Sequence, residues 1–328
     1  MNTSTTLWQH QLAEAFSNVD SLCRYLELDP AHLPLLTDYK DFPLRVPRGF
    51  VDCMEKGNPA DPLLRQVLPI LDELQQFPGY SLDPVGDLDA VAHAGVIHKY
   101  QGRVLLITTG GCAVHCRYCF RRHFPYGDLQ LSSQKINQAI DYIAGRNEIS
   151  EVILSGGDPL LLNDTKLQQL LQAIAGISHV KRIRIHTRIP VVLPARINPD
   201  LLHILSSQSK QIIVVLHANH ANELSGQVIN ACHSLKDIGV TLLNQSVLLK
   251  GVNDDSEVLC ELSEKLFVAN VLPYYLHCID RAAGVKHFEI TEQQAYGLLQ
   301  RMQACLPGYL VPRLVKEQAG AAHKIRLG

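Results

Sequence analysis

The chain has 328 residues, 46% of them hydrophobic and 19% charged, with a formal net charge of −2. This composition excludes a disordered or low-complexity chain, and the length suits one large α/β domain or two smaller ones with a substantial core. The nearly balanced charge removes any electrostatic reason for nucleic acid or an anionic membrane as the main ligand, so a small molecule is expected.

In chain order, residues 1–10 lack the basic and apolar regions of a secretory leader, and no later run approaches the ~18 apolar residues of a membrane span. A soluble, cytoplasmic protein is therefore expected. Residues 1–98 read as a mostly helical extension. An amphipathic start gives way to pieces punctuated by proline, such as Phe42-Pro43-Leu44-Arg45-Val46-Pro47, and proline breaks helices. These pieces are expected to wrap the rest of the fold or to contact another subunit.

From residue 103 the pattern changes. Short β-rich apolar runs recur at 103–109, 151–155, 182–187, 211–217, 240–248 and 271–277, and after the first interval they start roughly 30 residues apart, the length of a βα unit. Helical patterns lie between them, such as Leu167, Leu170, Leu171 and Ile174 before Gly176. A run as uniformly apolar as Ile212-Ile213-Val214-Val215-Leu216 suits a parallel strand covered on both faces. Six units fall short of the eight of a closed barrel, so the expected fold is α/β with an open, partial (β/α)6 barrel over 99–305. A doubly wound open sheet is the competing topology. The C-terminal segment, 306–328, holds one more β-like run at 309–315.

Polar motifs fall at the ends of these runs: a cysteine loop after the first, Ser155-Gly156-Gly157-Asp158 after the second, His186-Thr187-Arg188 after the third, and His217 after the fourth. Gln245 lies within the fifth and Asp280 follows the sixth. Catalytic residues of barrels come from the C-terminal ends of strands, so one shared mouth is expected to collect them.

The loop Gly110-Gly111-Cys112-Ala113-Val114-His115-Cys116-Arg117-Tyr118-Cys119 carries the densest chemistry. Three thiolates spaced C-x3-C-x2-C can hold three irons of a cuboidal 4Fe–4S cluster and leave the fourth open for a ligand. Structural zinc wants four ligands, usually from paired knuckles; no second C-x2-C exists here, although His115 or His123 could complete a zinc shell. The other six of the nine cysteines are scattered, make a poor disulfide framework, and read as small buried hydrophobes in a reducing compartment.

The cysteine spacing, with Tyr118 just before the last cysteine, resembles the radical S-adenosylmethionine (SAM) superfamily. Cys119-Phe120-Arg121-Arg122-His123-Phe124, Ser155-Gly156-Gly157-Asp158-Pro159-Leu160, Pro190-Val191-Val192-Leu193-Pro194, Asn244-Gln245-Ser246-Val247-Leu248-Leu249 and Pro273-Tyr274-Tyr275 are similar, in order, to the lysine 2,3-aminomutase family over about residues 46–324. The runs Arg45-Val46-Pro47-Arg48 and Met54-Glu55-Lys56-Gly57-Asn58-Pro59 look closest to its proteobacterial branch that serves elongation factor P. The resemblance implies an isomerase that converts (S)-α-lysine to (R)-β-lysine. Its cofactors would be the cluster, SAM as source of a 5′-deoxyadenosyl radical, and pyridoxal 5′-phosphate (PLP) as an aldimine. It further implies L-lysine as substrate, an external electron donor and a functional link to the elongation factor P ligase, and it leaves a homo-oligomer open.

Carried over residue by residue, the resemblance assigns Cys112, Cys116 and Cys119 to iron, and Ser155, Gly156, Gly157, Asp158, His217 and Gln245 to SAM. The glycine pair would allow close approach, with strand-end amides facing the methionyl group. Lys324 falls where the family has its PLP lysine, although only Gly320 remains of the glycine-rich stretch before it; Lys316 is the fallback. Lys99, Tyr100 and Arg103 match PLP phosphate and ring contacts. Arg121 matches the arginine that grips the substrate carboxylate, with Arg122 a structural neighbour. Asp280 and Glu317 stand where the family has two aspartates for the ε-ammonium, and Glu317, one methylene longer, moves its carboxylate by about 1.5 Å. Both would repel the side chain of glutamate, the substrate of the runner-up reading. A third reading is a metal-stabilised scaffold or electron-transfer protein.

Overall fold

The computed structural model describes residues 6–37, 40–93, 95–129, 131 and 133–328, so part of the stretch read for a leader lies outside the described residues. Ten strands form one sheet in chain order: β1 (Val91–His93), β2 (Val96–Tyr100), β3 (Arg103–Thr109), β4 (Glu151–Gly156), β5 (Arg182–Thr187), β6 (Gln211–Leu216), β7 (Thr241–Val247), β8 (Leu272–His277), β9 (Arg313–Lys316) and β10 (Ile325–Arg326). Strands β3 to β9 run parallel, while β1 and β2 at one edge and β10 at the other are antiparallel. A doubly wound sheet reverses its strand order at a switch point; this sheet never does. Among the described residues no pairing joins the first strand to the last, so the barrel is open.

The six expected βα runs are β3 to β8. The further run at 309–315 starts as a 3-10 turn, Gly308–Leu310, and becomes the seventh parallel strand from Arg313. Ahead of residue 99 the sheet also takes in β1 and most of β2, which reaches β3 through a two-residue turn where Gly102 sits at φ +79. Helices Asp164–Ala175, Pro199–Ser206, Gly226–Asp237, Ser256–Val268 and Glu292–Cys305 return the chain between strands. Each begins at a side chain that accepts a backbone N–H: Asn163, Asn198, Ser225, Asp255 and Thr291.

Side chains of a strand alternate between faces, and this alternation separates core from site. Leu106, Val152, Leu154, Ile183, Ile185 and Leu242 pack outward into the main apolar core. Their neighbours one residue away, Leu105, Ile153, Ser155, Arg184 and His186, line the lumen, as does Gln245, three residues from Leu242. Ser155, Arg184, His186 and Gln245 therefore face a cavity.

The N-terminal segment grips the cysteine loop from outside the barrel. His115 N donates to Arg45 O at 2.9 Å, His115 Nδ1 lies 2.8 Å from Pro43 O, and Arg117 N donates to Gln66 O at 2.8 Å. Fully buried Glu73 binds Arg117 Nε at 2.9 Å and Arg122 Nη2 at 2.6 Å. Burial alone would lift the Glu73 carboxyl, but the two guanidinium groups hold it below its usual range. Glu73→Gln leaves two buried cations undercompensated and is expected to cost about 3–5 kcal/mol, read as a lower midpoint in urea denaturation.

Candidate active site

The lumen opens into a cavity of about 570 Å³, within the ordinary range of ligand sites, and every residue assigned to the site from sequence borders it. At one end lies the cysteine loop, which leaves β3 at Thr109. Cys112, Cys116 and Cys119 all face this cavity. Burial, then the neighbouring thiols, push the Cys112 thiol well up and Cys119 up to about 11. Thiols whose proton affinity is raised in this way, as at Cys112 and Cys119, need a cation beside them to ionise, as bound iron would provide. Among the described residues no three His, Cys, Asp or Glu side chains gather as the ligands of a single ion would. A cuboidal cluster instead takes one sulfur per iron, and the donor set fits it.

The glycine pair holds this loop. Gly156 sits at φ +108, and a Cβ on Gly157 would lie 2.1 Å from Gly111 O. The amides expected to face a ligand are engaged within the protein: Gly157 N donates to Thr109 O at 2.7 Å and Asp158 N to Gly111 O at 2.8 Å. Nor is Asp158 directed at a ligand. Its carboxylate accepts from Thr187 Oγ1 at 2.7 Å, Arg188 N at 2.8 Å and Leu160 N at 3.1 Å, tying the end of β4 to that of β5. Burial lifts its carboxyl to about 6 in spite of these donors. Ser155 Oγ accepts from Arg121 Nη1 at 3.3 Å. His217 Nε2 lies 3.3 Å from Tyr118 OH, and Gln245 reaches the cavity from β7. Burial, then the Arg188 charge, takes His217 down to about 3, and burial holds His186 and His277 well below their usual value, so all three rings are neutral.

At the other end, Lys324 Nζ is ion-paired with Glu317. The same carboxylate takes Lys99 Nζ at 3.3 Å and Tyr100 OH at 3.1 Å, and its pKa falls to about 2 because these cations, Lys324 foremost, outweigh burial. The glycine-poor stretch still turns: Gly320 sits at φ +76, and the β9–β10 hairpin pairs Ile325 with Lys316. Lys316 itself pairs with Glu292 and does not border the cavity. The Arg103 guanidinium stacks over the Tyr100 ring at 4.4 Å and has no hydrogen bond or ion pair to another described residue, a donor suited to a phosphate.

Asp87, which nothing in the sequence singled out, is nearly fully buried between Lys99 Nζ at 2.6 Å and Arg121 Nε at 2.7 Å. It lies in the proline- and glycine-punctuated segment before β1, where no periodic pattern marks a site. Asp280 is the opposite case. Its carboxylate has no hydrogen bond or ion pair to a described residue, and burial, then the Glu317 charge, raise it to about 7.

Gly157→Ala is expected to displace the cysteine loop and abolish iron incorporation while the secondary structure is kept, as iron content and circular dichroism would show. Folded Asp280 holds a proton up to about pH 7, whereas an unfolded carboxyl releases it near pH 4, so its cost to stability grows as pH rises between these values. Asp280→Asn is expected to raise the Tm of the ligand-free protein at pH 8 and to leave it nearly unchanged near pH 4, in paired thermal melts.

Residues 106–262 match the Radical SAM superfamily. "L-lysine 2,3-aminomutase" of Escherichia coli (strain K12) is 46% identical over 98% of this chain and 94% of its own. The protein of the same description in Haemophilus influenzae is 47% identical over 87% and 84%, and that of Clostridium subterminale 33% over 97% and 76%. A solved radical SAM methyltransferase from Sphaerobacter thermophilus aligns at a TM-score of 0.47 and 17% identity, over 71% of this chain and 73% of that one. With near full-length identity of this order, and a cysteine loop seated at the mouth of an open parallel barrel, the chain belongs to the L-lysine 2,3-aminomutase family of the radical SAM superfamily.

Proposed function

We propose that this chain is an L-lysine 2,3-aminomutase, which converts (S)-α-lysine to (R)-β-lysine. One observation carries the reading: a single cavity joins the cysteine loop, a lysine held by an acid (Lys324 on Glu317) and an acid with no partner among the described residues, Asp280. The family's cofactors are a 4Fe–4S cluster, SAM and PLP. When bound, the first two supply a 5′-deoxyadenosyl radical and PLP a conjugated system through which nitrogen can move between carbons.

The chain's own residues divide this work. Cys112, Cys116 and Cys119 would hold three irons, and neutral His217 and Gln245 stand where SAM would lie. Arg103, Lys99 and Tyr100 would hold the PLP phosphate and ring, and the Lys324 amine would bind PLP covalently. Asp87 occupies the Nε edge of Arg121, and Nη2 has no partner among the described residues, which fits a substrate carboxylate. Asp280 would take the ε-ammonium. Glu317 joins it once Lys324 gives up its charge, because the carboxylate oxygen facing that lysine is then released. Both acids repel a carboxylate side chain, and no observation favours glutamate as substrate.

Residues 1–98 then act as an extension that seats the cysteine loop, 99–305 as the barrel and 306–328 as the segment bearing Lys324. Under the same proposal an external donor reduces the cluster, and the product goes to the ligase that modifies elongation factor P. The greater identity to the Escherichia and Haemophilus relatives than to the clostridial one supports that branch. A cytoplasmic location is supported by nine cysteines that are all free thiols, and no helix of the described residues is long and apolar enough to cross a membrane. A homo-oligomer is part of the proposal as well.

Anaerobic incubation of the reconstituted protein with lysine, SAM, PLP and dithionite is expected to yield β-lysine and 5′-deoxyadenosine. Absence of 5′-deoxyadenosine would leave a scaffold or electron carrier. Lys324→Ala is expected to lose both turnover and the absorbance of covalently bound PLP. The KM for lysine is expected to rise about tenfold per unit as pH falls below about 7, where Asp280 protonates, and Asp280→Asn should flatten that profile.

A further inference from the structure

Arg188 stands at the end of β5, and its side chain is aimed at a cysteine. Its backbone is fixed first: Asp158 Oδ2 accepts from Arg188 N at 2.8 Å, and Thr187 Oγ1 donates to Oδ1 of the same carboxylate at 2.7 Å. The guanidinium is 6% exposed and lies over the Phe50 ring at 5.1 Å. Nη2 donates to Gln66 Oε1 at 2.7 Å and to Glu223 Oε2 at 3.0 Å, while Nη1 donates to Cys116 Sγ at 2.8 Å. Glu223 is itself immobile, because its other oxygen accepts from Gln66 Nε2 at 2.9 Å, Asn219 N at 2.9 Å and His220 N at 3.1 Å. A buried cation is thus held against one cysteine sulfur, with its counter-charge on the far side.

We infer that Arg188 sets the reduction potential of the cluster, by donating to the sulfur of Cys116 and placing a positive charge beside it, with Glu223 as the opposing control. The inference rests on the assignment of the three cysteines to a 4Fe–4S cluster. An electron added to such a cluster is shared with its sulfur ligands, and hydrogen bonds to those sulfurs and the local net charge are what tune cluster potentials. In a buried site with little water, a charge at hydrogen-bond distance acts with weak screening. The guanidinium therefore stabilises the reduced form more than the oxidised one. Glu223 acts with the opposite sign through the same residue. Arg188 is in this sense a positioning residue for the electron: it touches the ligand sulfur and takes no part in breaking or making substrate bonds.

The test is an EPR-monitored redox titration of the reconstituted, substrate-free protein, with iron and sulfide content measured on each sample. Arg188→Gln is expected to lower the ratio of reduced to oxidised cluster about tenfold at the parent's midpoint, a shift of ~59 mV to more negative potential for a one-electron couple. Glu223→Gln keeps the shape and removes the counter-charge, so its midpoint should move the other way. Arg188→Lys retains the charge but not the fork and should fall between parent and Arg188→Gln. Opposite shifts from two neighbouring substitutions are not produced by general loosening of the fold. Shifts of the same sign, or unchanged midpoints at full cluster content, would overturn the inference. If Arg188→Gln fails to retain iron, Glu223→Gln decides alone, and a midpoint that stays put or becomes more negative overturns it. A parent protein that takes up no iron and sulfide would instead defeat the cluster assignment beneath it.

Discussion

Between Gly157 and the carbonyl of Gly111 there is no room for one additional carbon, and this closeness fixes the cysteine loop against the end of β4. The contact is backbone to backbone, bridged by the amides of Gly157 and Asp158. It depends on no rotamer and has little compliance, because a shift would break two short hydrogen bonds at once. The N-terminal segment closes the loop from the opposite side, through Gln66, Glu73 and the carbonyls of Pro43 and Arg45. Three sulfurs are thereby presented by a rigid element rather than by a swinging loop, which a site that must bind a preformed inorganic group requires.

The charges further into the lumen follow from the same demand for fixed positions at low dielectric. Asp87 takes Lys99 and Arg121, and Glu317 takes Lys99 and Lys324, so most of the buried charge is matched before any ligand arrives. Among the described residues, the cation of Arg103 and the carboxyl of Asp280 have no such match. Under the proposed function their separate needs, an anion for one and an ammonium for the other, would be met by a phosphate-bearing cofactor and a cationic substrate. The three neutral histidines that line the same cavity add polarity without adding charge.

The parallel strands, their spacing and the strand-end motifs were legible because parallel strands carry dense apolar runs and glycine breaks, which a single chain displays directly. The cysteines were legible as chemistry because few environments call for such residues at that spacing, whereas Lys324 came only through the family resemblance. Asp87, Glu73 and Gln66 were not legible. Each becomes meaningful only through partners far along the chain, as Gln66 with Glu223 or Asp87 with Arg121, and local periodicity holds no record of such meetings. The glycine pair was noticed, but its closeness to the cysteine loop was not: Gly157 meets Gly111 and its N–H donates to Thr109 O, a partner far along the chain. Hydrogen-bonded strands β1 and β2 escaped notice because they are short and lie at an edge, where the apolar signal is weakest.

The terminal hairpin has a consequence for how this chain can vary. Ile325 pairs with Lys316 and Leu327 N donates to Leu314 O, so Glu317 and Lys324 flank the mouth of a two-stranded ladder and face one another across it. Of the residues between them, 318–323, which form the turn, His323 borders the cavity and Ala319 lies against Gly86. The composition of the rest is at liberty to drift so long as the ladder keeps its register, since a one-residue slip would carry Lys324 to the opposite face. That separates anchorage from sequence: the amine proposed to hold PLP keeps its place by strand pairing rather than by a glycine-rich stretch.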